Sequence, residues 1–323
     1  MSEQEKENIL NDIIKPKSMP TIKCEIIDPD YLYLLMTSNV KYRKNRTTLT
    51  EDGIKQKVRL AIESYNDNEL NTFEVYFINS KLEQAINDSD KSIIGTDNFI
   101  RLQKRFTPKL NSKSNYQINF NTPIKQGSSK QYLTSSEFVM KDSNFVERTV
   151  IIEEIPKSSS GITEIQIDDA GYNYTFTPKV TIVGDGRGAL AEAYVKNGRI
   201  EKIVILNPGI DYTTASIVIE EPENGKIASA SAILDSNIGI MRVVYYNSNS
   251  ERVILETNIG SINYNEGIVT LNDLSVFSLN TSDGKIRLTC GSDNGLIQSR
   301  KNVILTIDEN DGQSIVINTE SVE

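Results

Sequence analysis

The sequence contains no histidine and no tryptophan, and only two of its 323 residues are cysteine. Without histidine there can be no imidazole base, no Ser-His-Asp or Cys-His nucleophile and no histidine-ligated metal. Cys24 and Cys290 lie far apart in strand-like apolar runs. This placement favours buried free thiols in a reducing compartment over a disulfide framework or a zinc site.

Long apolar runs are also missing, since none approaches the length of a membrane span. The N-terminal residues SEQEKEN lack the basic start and apolar core of a signal peptide. We therefore expect a soluble protein made in the cytoplasm. Residues 1–150 carry 22 Lys and Arg against 20 Asp and Glu, whereas residues 151–323 carry 13 against 24. The acidic second half argues against general nucleic-acid binding.

The most organised stretch runs from Ile162 to Leu234, where one short phrase occurs twice. Five residues of the first copy recur with the same identity 38 positions later. Ile162, Ile165, Ile167, Gly171 and Tyr174 correspond to Ile200, Ile203, Ile205, Gly209 and Tyr212. A fixed offset indicates a duplicated supersecondary unit. Apolar and polar residues alternate in each copy, as in half-buried strands, and each copy turns at a glycine where positive φ is expected. We predict a compact β module, either a spacer or a binding module.

The other patterns predict an α+β, β-rich chain in which an α+β domain is followed by mostly antiparallel β structure. The predicted divisions are 1–19 as a helical tail, 20–125 as an α+β domain, 126–159 as an irregular connection with one strand, 160–234 as the inserted module and 235–323 as a C-terminal β region packing with 126–159. The linker-like Ser158–Gly161 precedes the module.

Local signals give more specific predictions. Residues 22–27 and 31–43 are predicted strands, and Thr50 is the expected N-cap of an amphipathic helix over 51–66. Ser80 and Glu83 are predicted to form a capping box. We further predict a turn-rich link at 260–265, and a closing hairpin in which residues 303–307 and 314–317 are joined by Asp311-Gly312.

Carboxylates are the remaining candidates for chemistry. Asp168-Asp169 and Glu220-Glu221 lie beside turns in the two repeats, where a carboxylate hydrolase or a calcium site is conceivable. We interpret them as solvated charges. Gly184–Gly188 resembles a phosphate loop but lacks G-x-G-x-x-G spacing and GK[ST], so a flexible hairpin loop is predicted. Asp308–Gly312 lacks the positions of an EF-hand loop and is predicted to be a turn.

A mildly basic segment extends from Arg101 to Arg148. Its cations are Arg101, Lys104, Arg105, Lys109, Lys113, Lys125, Lys130, Lys141 and Arg148, against Glu137, Asp142 and Glu147. The segment is either a solvated face or a surface for an acidic partner, which could be the acidic half of another copy. No catalytic, cofactor-binding or metal-binding residue is assigned from the sequence.

A resemblance to a known family extends this interpretation. The run TIKCEIIDPDYLYLLMTSNVKYRKNRTTLTEDGIKQKVRLAIESY, the run FEVYFINSKLEQAINDSDKSIIGTDNFIRLQKRFTP and the later runs IGSINYNEGIVTLNDL and SRKNVILTID resemble baseplate wedge proteins of T-even-like contractile-tail phages, which are relatives of the baseplate J family. The repeat phrase G-Y-x-Y-T-x-x-P-x-V-T-I is similar to small β modules of phage structural proteins. Family members are about twice as long, so the resemblance implies a C-terminal half or a shorter relative.

The resemblance implies a non-enzymatic structural protein of the virion tail baseplate. Such proteins pair within each wedge and link wedges into a ring around the hub, so the expected partners are a second copy and other wedge proteins. No cofactor, nucleic acid, membrane or small-molecule substrate is implied. The alternatives from other classes are a β module that binds a host glycan or receptor, and a carboxylate-based hydrolase.

Overall fold

The computed structural model describes residues 3–19, 24–26, 29–126, 133–155, 161–210, 212, 214–234, 238–292, 296–298 and 302–322. Three predictions fall wholly or partly outside these residues: the loop at 127–130, the linker at 158–160 and much of the strand at 22–27. Residues 24–26 are described and are not in a strand. No helix in the described ranges is both long enough and apolar enough to cross a membrane.

Three α-helices are present in the described residues. They are α1 (Glu3–Ile9), which continues as a π-helical turn at Leu10–Ile14 and a 3₁₀ turn at Lys15–Lys17, α2 (Glu51–Glu69) and α3 (Asn79–Asp88). Thr50 caps α2 as predicted, because its hydroxyl accepts the Gly53 N–H at 3.3 Å. The predicted capping box is wrong: α3 begins at Asn79, its N-cap is Ile78, and Asn79 bonds Glu83 instead.

Strands make up most of the remaining described structure. In chain order they are β1 (Asp30–Arg43), β2 (Tyr76–Ile78), β3 (Ile93–Phe106), β4 (Ser114–Asn119), β5 (Thr134–Ser135), β6 (Phe138–Lys141), β7 (Glu147–Glu154), β8 (Glu164–Asp169), β9 (Val180–Gly184), β10 (Arg187–Lys196), β11 (Arg199–Ile210), β12 (Ala215–Ile219), β13 (Ser229–Ile233), β14 (Ile238–Tyr246), β15 (Arg252–Asn263), β16 (Ile268–Leu274), β17 (Ser278–Leu279), β18 (Ile286–Gly291), β19 (Leu296–Gln298), β20 (Val303–Thr306) and β21 (Ile315–Val322). The β-rich α+β prediction is confirmed.

A 13-stranded sheet forms the body of the molecule. Its main path is β20-β1-β3-β18-β5-β7-β14-β15-β16-β4, so strands from before and after the repeat region are mixed in one sheet. The helices α2 and α3 cover the β1 end through buried Ile54, Ile62, Leu82 and Ile86. Each such large apolar side chain contributes about 1.5–3 kcal/mol on burial.

The predicted closing hairpin at the C-terminal end is wrong. Strands β20 and β21 both pair in parallel with β1, β20 opposite Asp30–Tyr33 and β21 opposite Met36–Arg43. The two strands lie end to end along the same edge of β1. Asp311-Gly312 is therefore part of the connection between two strands that do not pair with each other. The predicted link at 260–265 is also wrong at its start, because Gly260–Asn263 continues β15 and pairs with β16.

The repeat region folds as two interlocked copies related by an approximate twofold. Copy one supplies β8, β9 and β10, and copy two supplies β11, β12 and β13. Each copy's first strand pairs with the other copy's third strand, in β8–β13 and β11–β10, while β9 pairs with β12 across the axis. The register bulges also correspond, between Leu190 and Ala191 and between Ser229 and Ala230.

Turn geometry repeats with the same symmetry. Gly171 and Gly209 have φ values of +62° and +68°, as the sequence predicted. Their N–H groups donate to Asp169 and Asn207 side chains at 2.9 and 3.0 Å. Each copy therefore uses a local side-chain acceptor to hold the glycine turn in the left-handed region.

The two ends of the repeat module differ in what they contact. One cluster, around Ile162, Ile205 and Tyr212, also contains Ile240 of β14 and therefore packs on the body. The equivalent cluster, around Tyr174 and Ile200, contains residues of the module alone. The duplication therefore yields two similar small cores, one of which anchors the module.

Candidate functional site

The carboxylate pair in the first repeat is engaged locally. Asp168 and Asp169 are the last two residues of β8. Asp168 accepts the Ser231 hydroxyl at 2.6 Å. Asp169 forms an ion pair with the Lys226 ammonium and accepts a hydrogen bond from the Gly171 N–H. The bond from Lys226 has the larger effect and the bond from Gly171 the smaller one, and both lower the pKa of the Asp169 carboxyl. Asp168 therefore links the end of β8 to β13, and Asp169 links it to the segment that precedes β13.

The second carboxylate pair, Glu220-Glu221, directly follows β12. Glu220 accepts the Lys179 N–H at 2.9 Å, and both Glu220 and Glu221 are exposed. Within the described ranges, no group of three or more Asp, Glu or Cys residues is arranged to hold a metal ion. Asp168, Asp169 and Glu220 therefore hold local turns by hydrogen bonds.

The glycine-rich segment Gly184–Gly188 is not a hairpin loop, because β9 and β10, which it joins, belong to different sheets. Two of its glycines, Gly184 and Gly186, lie against the buried ring of Tyr212. A Cβ on Gly186 would lie 2.3 Å from two Tyr212 ring carbons, and one on Gly184 would lie 2.2 Å from the Thr214 carbonyl. These glycines are present because a tyrosine ring and a neighbouring strand occupy the space of a side chain.

An ion-pair cluster holds the segment that contains Asp308–Gly312. Arg105 on β3 binds Asp308 at 2.6 Å and Asp311 at 3.1 Å, and Arg287 on β18 binds Asp311 at 2.7 Å. The Arg105 guanidinium also lies 3.9 Å from the centroid of the Tyr33 ring. Burial raises the pKa of the Tyr33 hydroxyl. This turn is fixed by two arginines from strands far away in sequence.

A second cluster lies inside the main sheet, where Glu153 and Glu154 of β7 are both fully buried. Glu153 accepts the Arg242 guanidinium at 2.7 Å and contacts that of Arg252. Glu154 accepts the Tyr264 hydroxyl and the Leu133 N–H. Burial, and then the Glu154 charge, raise the pKa of the Tyr264 hydroxyl. The sequence showed Glu153 and Glu154 only as two acidic residues at the end of a strand.

The cysteines are free, as predicted, and Cys290 is buried while Cys24 is partly exposed. Burial, with a smaller contribution from the Glu154 charge, raises the pKa of the Cys290 thiol. The thiolate, which is the reactive form, is therefore disfavoured at Cys290.

The basic segment is only partly available to a partner. Lys104 is buried and binds Asp30 at 2.5 Å, and Arg105 belongs to the cluster with Asp308 and Asp311. Arg148 binds Asp142 at 3.1 Å. Five of the predicted cations are exposed, namely Arg101, Lys109, Lys113, Lys125 and Lys141, while Lys130 lies outside the described residues. Whether the segment is a solvated face or a surface for an acidic partner stays a prediction, and it applies to these exposed residues.

A cleft of about 1250 Å³ separates the module from the body. One wall consists of edge residues of β8 and β11, and the other includes Glu256, Asn258 and Asp273 from β15 and β16. The Asn258 side-chain amide on β15 donates a hydrogen bond to the Ile205 carbonyl on β11 at 3.0 Å, which connects the two walls. The cleft thus presents strand edges on both sides and mixed polar and apolar side chains.

The described residues thus present a large mixed sheet, networks of ion pairs and an open cleft beside the repeat module. Comparison with known proteins gives the class of protein. Residues 30–105, which form β1 to β3 with α2 and α3, match the family model "Baseplate structural protein gp6, C-terminal domain III". The chain is also 27% identical over 119 residues to the baseplate wedge protein gp6 of Enterobacteria phage T4, a match that covers 35% of this chain and 18% of the relative.

Both matches support a T4-like baseplate wedge protein over part of the chain, and hence a structural component of a phage tail baseplate. This confirms the resemblance inferred from the sequence. The matched part is less than one fifth of the relative's length.

Proposed function

We propose that this chain acts by self-association and by contacts with other wedge proteins, which join wedges into a ring around the hub of a virion tail baseplate. The observation that carries the proposal is the match of residues 30–105 to a baseplate domain. A ring requires self-complementary surfaces on one chain. Exposed Lys109 and Lys113, together with the acidic second half of the sequence, supply opposite charges for a contact between copies.

Self-association is tested by measuring the mass of the purified chain in solution. Sedimentation at micromolar concentration should give twice the monomer mass. The double variant Lys109→Glu with Lys113→Glu should weaken the dimer, because each removed exposed ion pair contributes about 0.2–1 kcal/mol. Raising the salt concentration should act in the same direction. A mass that stays monomeric over the whole concentration range would contradict the pairing.

We further propose that residues 160–234 are an inserted unit without catalysis, in a protein whose action depends on surfaces alone. The carboxylates of the repeats support this, because their contacts are local hydrogen bonds and one ion pair. A second candidate function for the module is binding of a host receptor. The exposed Tyr172 side chain favours it, since aromatic rings are common anchors in binding sites.

Replacing Asp168 and Asp169 by Asn distinguishes a module without catalysis or receptor binding from one that has either. Surface changes of this type shift the free energy of unfolding by less than about 0.5 kcal/mol each, although Asp169→Asn also loses the ion pair with Lys226. Baseplates should assemble and particles should remain infectious. Normal assembly with abolished infectivity would instead indicate chemistry or host recognition in the module. Tyr172→Ala, measured for infectivity in the same assay, then identifies the receptor alternative.

A further inference from the structure

The repeat module is joined to the body by few contacts. Within the described residues, none of its six strands pairs with a strand of the 13-stranded sheet. The body adds Ile155 and Ile240 to one of the two small cores of the module, and the other core consists of module residues alone. The module can therefore change its position relative to the body without losing its own strand pairing or its second core.

A bulge in β15 provides the polar contact between the two parts. Three residues of β15, Thr257–Ile259, lie opposite the single residue Arg242 of β14. An insertion of this kind bends a strand and changes the direction of its side chains. Here the Asn258 side-chain amide reaches the module, where its Nδ2 donates to the Ile205 carbonyl of β11 at 3.0 Å.

Both ends of the Asn258 amide are used. Its Oδ1 accepts the Gly260 N–H at 3.0 Å, a bond within the bulge, while its Nδ2 makes the bond to the module. A carboxylate is an acceptor only, so it could make the first bond but not the second. The bond to Ile205 therefore depends on an amide at this position, whereas the bond inside the bulge does not.

The charged side chains of the cleft add no ion pair between its walls. Among the described residues that line the cleft, Glu201 pairs with Lys196 inside the module and Asp142 pairs with Arg148 inside the body, and no ion pair joins one wall to the other. A neutral hydrogen bond and a buried isoleucine contact each shift an equilibrium by about tenfold. Together they favour the observed position by a factor on the order of 100.

We propose that residues 161–234 are a rigid arm with two positions, and that Asn258 is the latch of the closed one. In the closed position, which the structure shows, the Asn258 amide holds β11 beside β15. In the open position this bond and the Ile240 contact are broken, the cleft is wider and the module stays folded. Movements of whole folded units about one attachment are a common form of conformational change. The inference goes beyond the proposed function, because it requires no self-association.

The test measures distances between the module and the body in the full chain. Spin labels are attached at Val218→Cys and Tyr246→Cys, two exposed positions, in a Cys24→Ser background, since Cys24 is partly exposed and Cys290 is buried. Dilution with unlabelled protein removes distances between copies. Double electron–electron resonance should give one main distance for the protein without further changes.

Asn258→Asp should raise the ratio of open to closed molecules at least about tenfold, which corresponds to about 1.4 kcal/mol. The change removes the donor and places a carboxylate beside the Ile205 carbonyl, while the bond from the Gly260 N–H can remain. A second distance should therefore appear. Hydrogen exchange should show unchanged protection in β8 and β13, because the module moves without unfolding.

Two further variants keep the test decisive. Asn263→Asp makes the same substitution on the same strand, where the Asn263 side chain accepts the Glu266 N–H within the body at 3.1 Å. It should leave the distance distribution unchanged. Ile240→Ala weakens the apolar attachment and should produce the same second distance as Asn258→Asp. This variant tests the arm independently of the bulge, even where Asn258→Asp fails to fold.

The proposal is overturned if neither Asn258→Asp nor Ile240→Ala produces a second distance, or if Asn263→Asp changes the distribution as much as Asn258→Asp does. Loss of protection throughout β8 and β13 in Asn258→Asp would also overturn it, because the module would then unfold rather than move. A monomeric mass in sedimentation together with a second distance in Asn258→Asp would contradict self-association and support the arm.

Discussion

Replacing Glu153 by alanine should lower the free energy of unfolding by about 3–5 kcal/mol, the usual cost of removing one partner from a buried ion pair. Glu153 is fully buried between Arg242 and Arg252 and links β7 to β14 and, through Arg252, to β15. Arg252 is partly exposed and can turn to water, but the Arg242 side chain is only 13% exposed. The largely buried Arg242 guanidinium would therefore lose its ion pair with Glu153.

Urea unfolding of the full chain measures this effect. Glu147→Ala is the matched control, because Glu147 lies on the same strand and is exposed, so its loss should change stability by less than about 0.5 kcal/mol. Glu153→Gln keeps the shape and should recover only part of the loss. An alanine variant as stable as the unaltered protein would show that the two arginines do not depend on Glu153.

Replacing Tyr212 by alanine should destabilise the repeat module by about 3–5 kcal/mol, the range measured for large aromatic side chains removed from cores. The Tyr212 ring is 4% exposed and fills the space left by Gly184, Gly186 and Gly209. Gly186→Ala should act on the same contact from the other side. Its Cβ would meet the ring at 2.3 Å, and overpacking of this kind costs about 1–3 kcal/mol.

Hydrogen exchange read peptide by peptide shows where the destabilisation occurs. Protection should fall in β9 to β12 and remain in β1 and β3, because the cluster around Tyr212 includes Ile240 of β14 but no side chain of β1 or β3. Tyr172→Ala is the control within the module, since Tyr172 is 47% exposed. Equal loss of protection in the body would contradict the proposal that residues 160–234 are an inserted unit.

Local signals in the sequence were sufficient for individual elements. The Thr50 cap, the amphipathic pattern of α2 and the strand at 31–43 each depend on neighbours within a few residues. The duplication was visible because Gly171 and Tyr174 recur at a fixed offset. The interlocking of the copies was not visible, because strand pairing between β8 and β13 joins residues at least 60 positions apart.

The errors have the same physical origin. Asp311-Gly312 has the composition of a hairpin turn, but the long edge of β1 accepts both flanking strands in parallel. Gly260 lies within a strand, where a Cβ would meet the Thr270 carbonyl at 1.9 Å. The buried charges of Glu153 and Arg105 become meaningful only when Arg242 and Asp308, distant in sequence, are placed beside them.

The central claim, that this chain is a structural component of a tail baseplate, is tested most directly by quantitative mass spectrometry of baseplates isolated from purified virions. The chain should be present in a fixed ratio to the other wedge proteins, and particles made without it should lack complete baseplates. Complete, contractile tails from which the chain is absent would contradict this account.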